Sequence, residues 1–225
     1  MLSAILFDLD GTLVNTDPLH YKVWHEILKN YGLEIDEKFY QTRMSGRLNS
    51  QIIENILPHL SLEEGQQLTE RKEVRFRESA TELKPMAGLS KILEWTQKHG
   101  LKRAVVTNAP RANAFSMLEV LGLTNAFDTI VLGEEAEFGK PHPAPYCLAL
   151  HYLDITPDSA IAFEDSPSGI LSSVEAGIYT IGIASTRNSD TLSKVGAKMI
   201  VSDFNAKQLW EWLNSSSFLS STLCK

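Results

Sequence analysis

The chain has 225 residues, 43% of them hydrophobic and 22% charged, with a formal net charge of -7. That length supplies a sizeable core for one large domain, or for one domain with an insertion. It shows no basic patch or stripe and no apolar run near the roughly 20 residues that span a bilayer, which excludes nucleic acid and membrane as main partners.

The chain enters a strand directly, without a basic flank or a cleavage pattern, so no targeting peptide is read and the expected compartment is the cytoplasm. Ala4–Leu9 reads as a buried strand with Gly11 as its exit. Residues two apart on a strand point the same way, so Asp8 and Asp10 leave its end together. Carboxylates about 4 Å apart repel by roughly 4 kcal/mol at an effective dielectric near 20. A divalent cation or a shared proton would compensate. Taken alone, Asp10-Gly11 reads equally well as a turn, with Asp8 a solvated strand end.

From Asn15 to Leu83 the strand pattern stops. His20–Leu28, Ser50–Leu57 and Leu62–Ser79 carry helical periodicity. From Leu101 onward, short apolar runs alternate with helical segments. The runs are Arg103–Thr107, Thr129–Leu132, Ala160–Phe163, Tyr179–Ile183 and Lys198–Val201; the helices are Arg111–Leu121, Pro143–Leu153, Pro167–Ala176 and Ser189–Val195. Alternation of this kind predicts an α/β fold, a parallel Rossmann-like sheet covered by helices on both faces. The expected division is a catalytic core of residues 1–14 and 85–214, an inserted α-helical cap domain of residues 15–84, and a disordered Ser-rich tail, 215–225. Leu209–Leu213 reads as the last helix, with Trp210 and Trp212 packed on the body. Cys147 and Cys224 have no metal-ligand spacing and read as free thiols of a reducing compartment.

Ligands of an open parallel sheet bind outside the carboxyl ends of its strands. Those ends carry Asp8 and Asp10, then Thr107-Asn108-Ala109, then Lys140 after Gly139, then Glu164-Asp165. Each has an ordinary reading: a helix cap for Thr107-Asn108, a loop lysine for Lys140, a solvated helix start for Glu164-Asp165. Together, carboxylates, one lysine, one hydroxyl and backbone donors make the composition of a Mg²⁺ and phosphate site. No His/Cys cluster is spaced for zinc.

With those motifs in order, the chain resembles the haloacid dehalogenase superfamily, and in its helical insert the β-phosphoglucomutase-like group. The motifs are Asp8-Leu9-Asp10-Gly11-Thr12, Thr107-Asn108, Lys140-Pro141 and Glu164-Asp165, with Ser166-Pro167-Ser168-Gly169 after the last. The resemblance implies Asp8 as the nucleophile forming an aspartyl-phosphate and Asp10 as general acid and base. It implies Thr107 and Lys140 on the phosphoryl oxygens, and Asp8, the Asp10 carbonyl, Glu164 and Asp165 around Mg²⁺. Asn108 and Ala109 would add backbone donors for substrate. In the cap, His20 and Arg47 would read the substrate, with Lys72, Arg75 and Arg77 as further basic candidates. Thr12 is similar to the hydrolases of the superfamily rather than its mutases. The expected activity is Mg²⁺-dependent hydrolysis of small phosphosugars and related phosphomonoesters by a monomer. A phosphosugar mutase, an inorganic pyrophosphatase and a non-catalytic binding protein are the alternatives.

Overall fold

The computed structural model describes residues 1–215, so the tail from 216 on, with Cys224, lies outside the described residues. Among the described residues there are six strands: β1 (Ala4–Phe7), β2 (Lys102–Thr107), β3 (Thr129–Leu132), β4 (Ala160–Glu164), β5 (Tyr179–Ile183) and β6 (Met199–Val201). They form one sheet in the order β3-β2-β1-β4-β5-β6, with every neighbouring pair parallel. β1 and β4 are buried along their whole length. Strands covered on both faces read as continuous apolar runs, which is why their positions are legible in the sequence.

β1 ends at Phe7, two residues before the predicted end. The Leu9 carbonyl accepts the N–H groups of Thr12, Leu13 and Val14, and the Gly11 N–H donates to Val14 O at 2.7 Å. This tight turn needs Gly11 at φ +81°, a conformation that a residue with Cβ rarely adopts. It directs the chain from the strand end into the segment that follows.

The chain divides into two compact units, one of Met1–Asn15 with the chain from Lys84 onward, the other of Thr16–Leu83. The second unit is helical: α1 (Asp17–Lys29), α2 (Glu37–Arg43), α3 (Asn49–Ile56) and α4 (Leu62–Ser79). Leu19, Val23, Trp24 and Ile27 on α1 and Leu68 and Phe76 on α4 are buried. A capping box formed by Ser61 and Glu64 starts α4. α2 is absent from the sequence reading because it buries only Tyr40, and one apolar position makes no period.

The sheet unit carries α5 (Leu89–Lys98), α6 (Arg111–Val120), α7 (Ala144–Leu153), α8 (Pro167–Glu175), α9 (Ser189–Lys194) and α10 (Lys207–Ser215). α5 was not among the predicted helices; it fills the predicted gap between Leu83 and Leu101, burying Leu89, Ile92, Leu93 and Trp95. α7 packs on one sheet face, where Ala4, Ala104 and Ala162 leave room for Tyr146 and Leu150. On the sheet, Phe7 stacks on Phe163 at 5.5 Å, and Phe204 meets both edge-on. α10 runs through Asn214 and Ser215, beyond the predicted end of the last helix. Its tryptophans pack as expected, Trp210 against Trp95 and Trp212 against Tyr179.

Candidate functional site

β1 lies between β2 and β4, where the order of connection reverses. That reversal opens a crevice at the carboxyl ends of these strands. Phe7 pairs with Val105 on one side and Phe163 on the other, and the Asp8 N–H donates to Phe163 O at 3.0 Å. The register thus sets Asp8 beside Glu164 and Asp165. Lys140 enters from the loop after β3, and its ammonium donates to Asp8 Oδ1 at 2.7 Å, Glu164 Oε1 at 2.6 Å and the Val106 carbonyl at 2.7 Å. Only 3% of its side chain is exposed.

A layer of residues, most of them outside the motifs, holds these groups. Tyr146, fully buried on α7, donates its hydroxyl to Glu164 Oε1 at 2.9 Å, the oxygen that Lys140 also reaches. Ser166 caps α8 by accepting the Gly169 N–H, and its own hydroxyl donates to Glu164 Oε2 at 3.3 Å. Thr186 Oγ1 donates to Asp165 Oδ2, and Ser185 Oγ to the Gly11 carbonyl. Two glycines make room for the carboxylates. A Cβ on Gly11 would lie 2.0 Å from Asp165 Oδ2, and one on Gly169 would lie 1.9 Å from Glu164 Oε1.

The electrostatics follow from crowding in a dry place. Burial, the largest influence, raises the Asp8 carboxyl well above its ordinary value; Lys140 opposes this, while Glu164, Asp165 and Asp10 add to it. Asp165 is pushed up to about 8, first by burial and then by the charge of Glu164, against the hydrogen bond from Thr186. Burial by itself would lower Lys140, but Asp8 and Glu164 outweigh it and hold the ammonium charged. Tyr146 is raised, by burial and then by Glu164, so its hydroxyl stays a donor.

These residues fit a hard divalent cation. Asp8, Glu164 and Asp165 are buried and each offers an oxygen, all within 4.8 Å of one another. With one ammonium for three carboxyl groups, Asp8 and Asp165 are pushed toward their protonated forms, and a cation would take the place of those protons. The cluster's donors are oxygens only, the set that Mg²⁺ or Ca²⁺ takes. Glu164 already receives Lys140, Tyr146 and Ser166, so Asp8 and Asp165 are the better placed to ligate directly.

The remaining predicted residues sort differently. Asp10 is half-buried, its backbone bridged to Val14, and its charge raises both Asp8 and Asp165. Thr107 ends β2 and is 1% exposed. The Ala109 N–H, expected to face substrate, donates to Thr107 Oγ1 at 3.0 Å. Asn108 directs its side-chain amide to Lys140. In the helical unit, His20 stacks on Phe76 at 4.3 Å and meets Lys72 Nζ at 2.9 Å. Of the three basic candidates, only Lys72 is buried, with Glu73 at 2.9 Å; Arg75 is exposed and Arg77 half-buried. Arg47 is exposed in a turn behind Ser45, whose hydroxyl donates to Asp17 Oδ2 at 2.9 Å.

The family model for haloacid dehalogenase-like hydrolases matches residues 5–183, most of the chain. The chain belongs to this family. Among the relatives of this haloacid dehalogenase-like hydrolase is a phosphorylated carbohydrates phosphatase of Thermotoga maritima. It is 29% identical over 89% of this chain and 94% of its own. A validoxylamine A 7'-phosphate phosphatase of Streptomyces hygroscopicus subsp. limoneus is 30% identical over 86% of this chain and 91% of its own. A solved structure of a family IA, variant 3 hydrolase from Entamoeba histolytica superposes with a TM-score of 0.82. It is 31% identical over 91% of this chain and 94% of its own. Among the described residues of this hydrolase, no helix is long and apolar enough to cross a membrane.

Sequence reasoning missed Tyr146, Ser185 and Thr186. Tyr146 stands in a helix as one more large residue of its buried face, and the two hydroxyls sit in a loop without a pattern. Only the fold brings them to the carboxylates.

Proposed function

We propose that this hydrolase is a Mg²⁺-dependent phosphatase of small phosphosugars and related phosphomonoesters, working through an aspartyl-phosphate on Asp8. The observation that carries this is Lys140 spanning Asp8 and Glu164 beside Asp165 at the carboxyl ends of β1 and β4. The substrate class rests on the relatives, whose names state phosphatases of a phosphorylated carbohydrate and of validoxylamine A 7'-phosphate.

In the first half-reaction Asp8 Oδ attacks phosphorus and the ester P–O bond breaks, while Asp10 gives its proton to the leaving oxygen. In the second, Asp10 takes a proton from water as that water attacks the aspartyl-phosphate, releasing phosphate and restoring Asp8. Lys140 and Thr107 hold phosphoryl oxygens, where charge spreads in the transition state. Asp8, Asp165 and the Asp10 carbonyl would hold Mg²⁺, with Glu164 behind them. When bound, the metal neutralises charge on the phosphoryl oxygens. His20 and Arg47, both in the helical unit, are the proposed substrate-reading residues. Cys147, a free exposed thiol, suits the reducing cytoplasm.

The test is phosphate release from sugar phosphates, other phosphomonoesters and pyrophosphate, with Mg²⁺ and with EDTA, each mixture also scanned for isomerised phosphosugar. Metal-dependent release from several phosphosugars is expected. Isomerised product without release would replace the reading with a mutase, and silence across the panel would overturn it.

Metal binding also predicts a pH dependence. In metal-free protein Asp165 keeps its proton up to about 8, while an unfolded chain loses it near 3.8. Between these values the native state binds more protons, so stability falls as pH rises. Mg²⁺ needs the carboxylate, so its stabilising effect grows across the same window. Thermal midpoints at about pH 5.5 and about pH 8.5, with and without Mg²⁺, measure this. An equal Mg²⁺ shift at both would remove Asp165 from the metal set.

A further inference from the structure

We infer that Asn108 is the positioning residue for Lys140: its side-chain amide clamps the Lys140 peptide from both sides and so aims the ammonium at Asp8 and Glu164. Asn108 Oδ1 accepts the Lys140 N–H at 3.1 Å, and Asn108 Nδ2 donates to the Lys140 carbonyl at 3.0 Å. One planar amide making two hydrogen bonds to one residue fixes that residue's direction as well as its distance. The neighbouring chain is moulded around it. A Cβ on Gly133 would meet Asn108 Oδ1 at 2.4 Å, and one on Gly139 would meet it at 3.1 Å. Gly133 opens and Gly139 closes the loop that ends at Lys140, so both glycines leave space for the same oxygen.

The clamp matters because it fixes the backbone at the end of that loop. Arg111 ties Glu134 and Glu135 at its start, through a side chain that is 56% exposed. Four methylenes separate the Lys140 backbone from an ammonium that must meet two carboxylates and the Val106 carbonyl at once. A displacement of about 1 Å in a catalytic group can reduce turnover some 10²-fold. Asn108 is itself exposed, so the clamp adds little to stability while setting geometry.

The inference rests on the phosphatase reading for its kinetic assay, and a structural readout makes it independent. Asn108→Ala should lower kcat about 10- to 100-fold, leave KM within about threefold and leave the thermal midpoint nearly unmoved. Gly133→Ala, which keeps Asn108 but crowds its oxygen, should reproduce that pattern. In a Lys140→Arg background the Asn108→Ala loss should shrink, because both changes act on one group. A raised KM with unchanged kcat would make Asn108 a substrate contact instead. The same fold-loss in both backgrounds, or no loss, would also overturn the inference. If the unaltered protein hydrolyses nothing on the panel, the phosphatase reading fails and the clamp is judged by crystallography of Asn108→Ala. There Lys140 Nζ should leave Asp8 and Glu164, and an unmoved ammonium would refute the clamp.

Discussion

Asp8→Asn should lower phosphate release by at least about 10⁴-fold without lowering the thermal midpoint. An amide has the shape of the carboxylate but cannot displace an alcohol from phosphorus, so the first half-reaction stops. The stability half follows from electrostatics. Burial, with Glu164, Asp165 and Asp10, holds the Asp8 carboxyl above its ordinary value against the pull of Lys140. The charged form is therefore disfavoured in the fold, and a neutral amide relieves repulsion rather than removing support. Lys140 keeps Glu164 at 2.6 Å as its partner. Turnover and thermal unfolding on one preparation measure both halves. Retained turnover would take Asp8 out of the mechanism. A fall in the midpoint would make its carboxylate structural.

Gly169→Ala should destabilise the protein by about 3 kcal/mol or more and abolish turnover, although Gly169 lies in the first turn of α8. Helix propensity alone argues the opposite sign, because alanine is better than glycine in a helix by about 1 kcal/mol. The added Cβ would sit 1.9 Å from the Glu164 Cδ and Oε1 and 2.0 Å from Oε2. That carboxyl cannot swing aside. It is fully buried and held by Lys140 at 2.6 Å and Tyr146 at 2.9 Å. Either α8 moves or Glu164 leaves Lys140, and the second breaks a buried ion pair. Ser168→Ala, at the exposed neighbouring position, should change stability little. Chemical denaturation of the two variants compares them, and a neutral or stabilised Gly169→Ala would mean that the helix start does not seat on Glu164.

The sheet was legible from sequence because its central strands, β1 and β4, are buried along their whole length and its other strands are buried toward their carboxyl ends. Such burial leaves short apolar runs, and Thr129–Leu132 and Tyr179–Ile183 stand where the runs placed them. Strand ends carry the chemistry in such a sheet, so Asp8, Lys140 and Glu164-Asp165 were legible as one group before any contact was known. α2 was not, because a helix with one buried side chain leaves no period to read. Alternation by itself thus determined the architecture and which residue types face the crevice, and the motifs around Asp8, Thr107, Lys140 and Glu164 carried the family resemblance. The tertiary structure alone decided who touches whom. It brought Tyr146 and Thr186 to the carboxylates, turned the Asn108 amide onto Lys140 and occupied the Ala109 N–H with Thr107. Periodicity reports burial, which each residue expresses in its own identity. A hydrogen bond here joins residues well over a hundred positions apart, as Lys140 to Asp8, and its geometry exists only when the register of the strands has closed the distance.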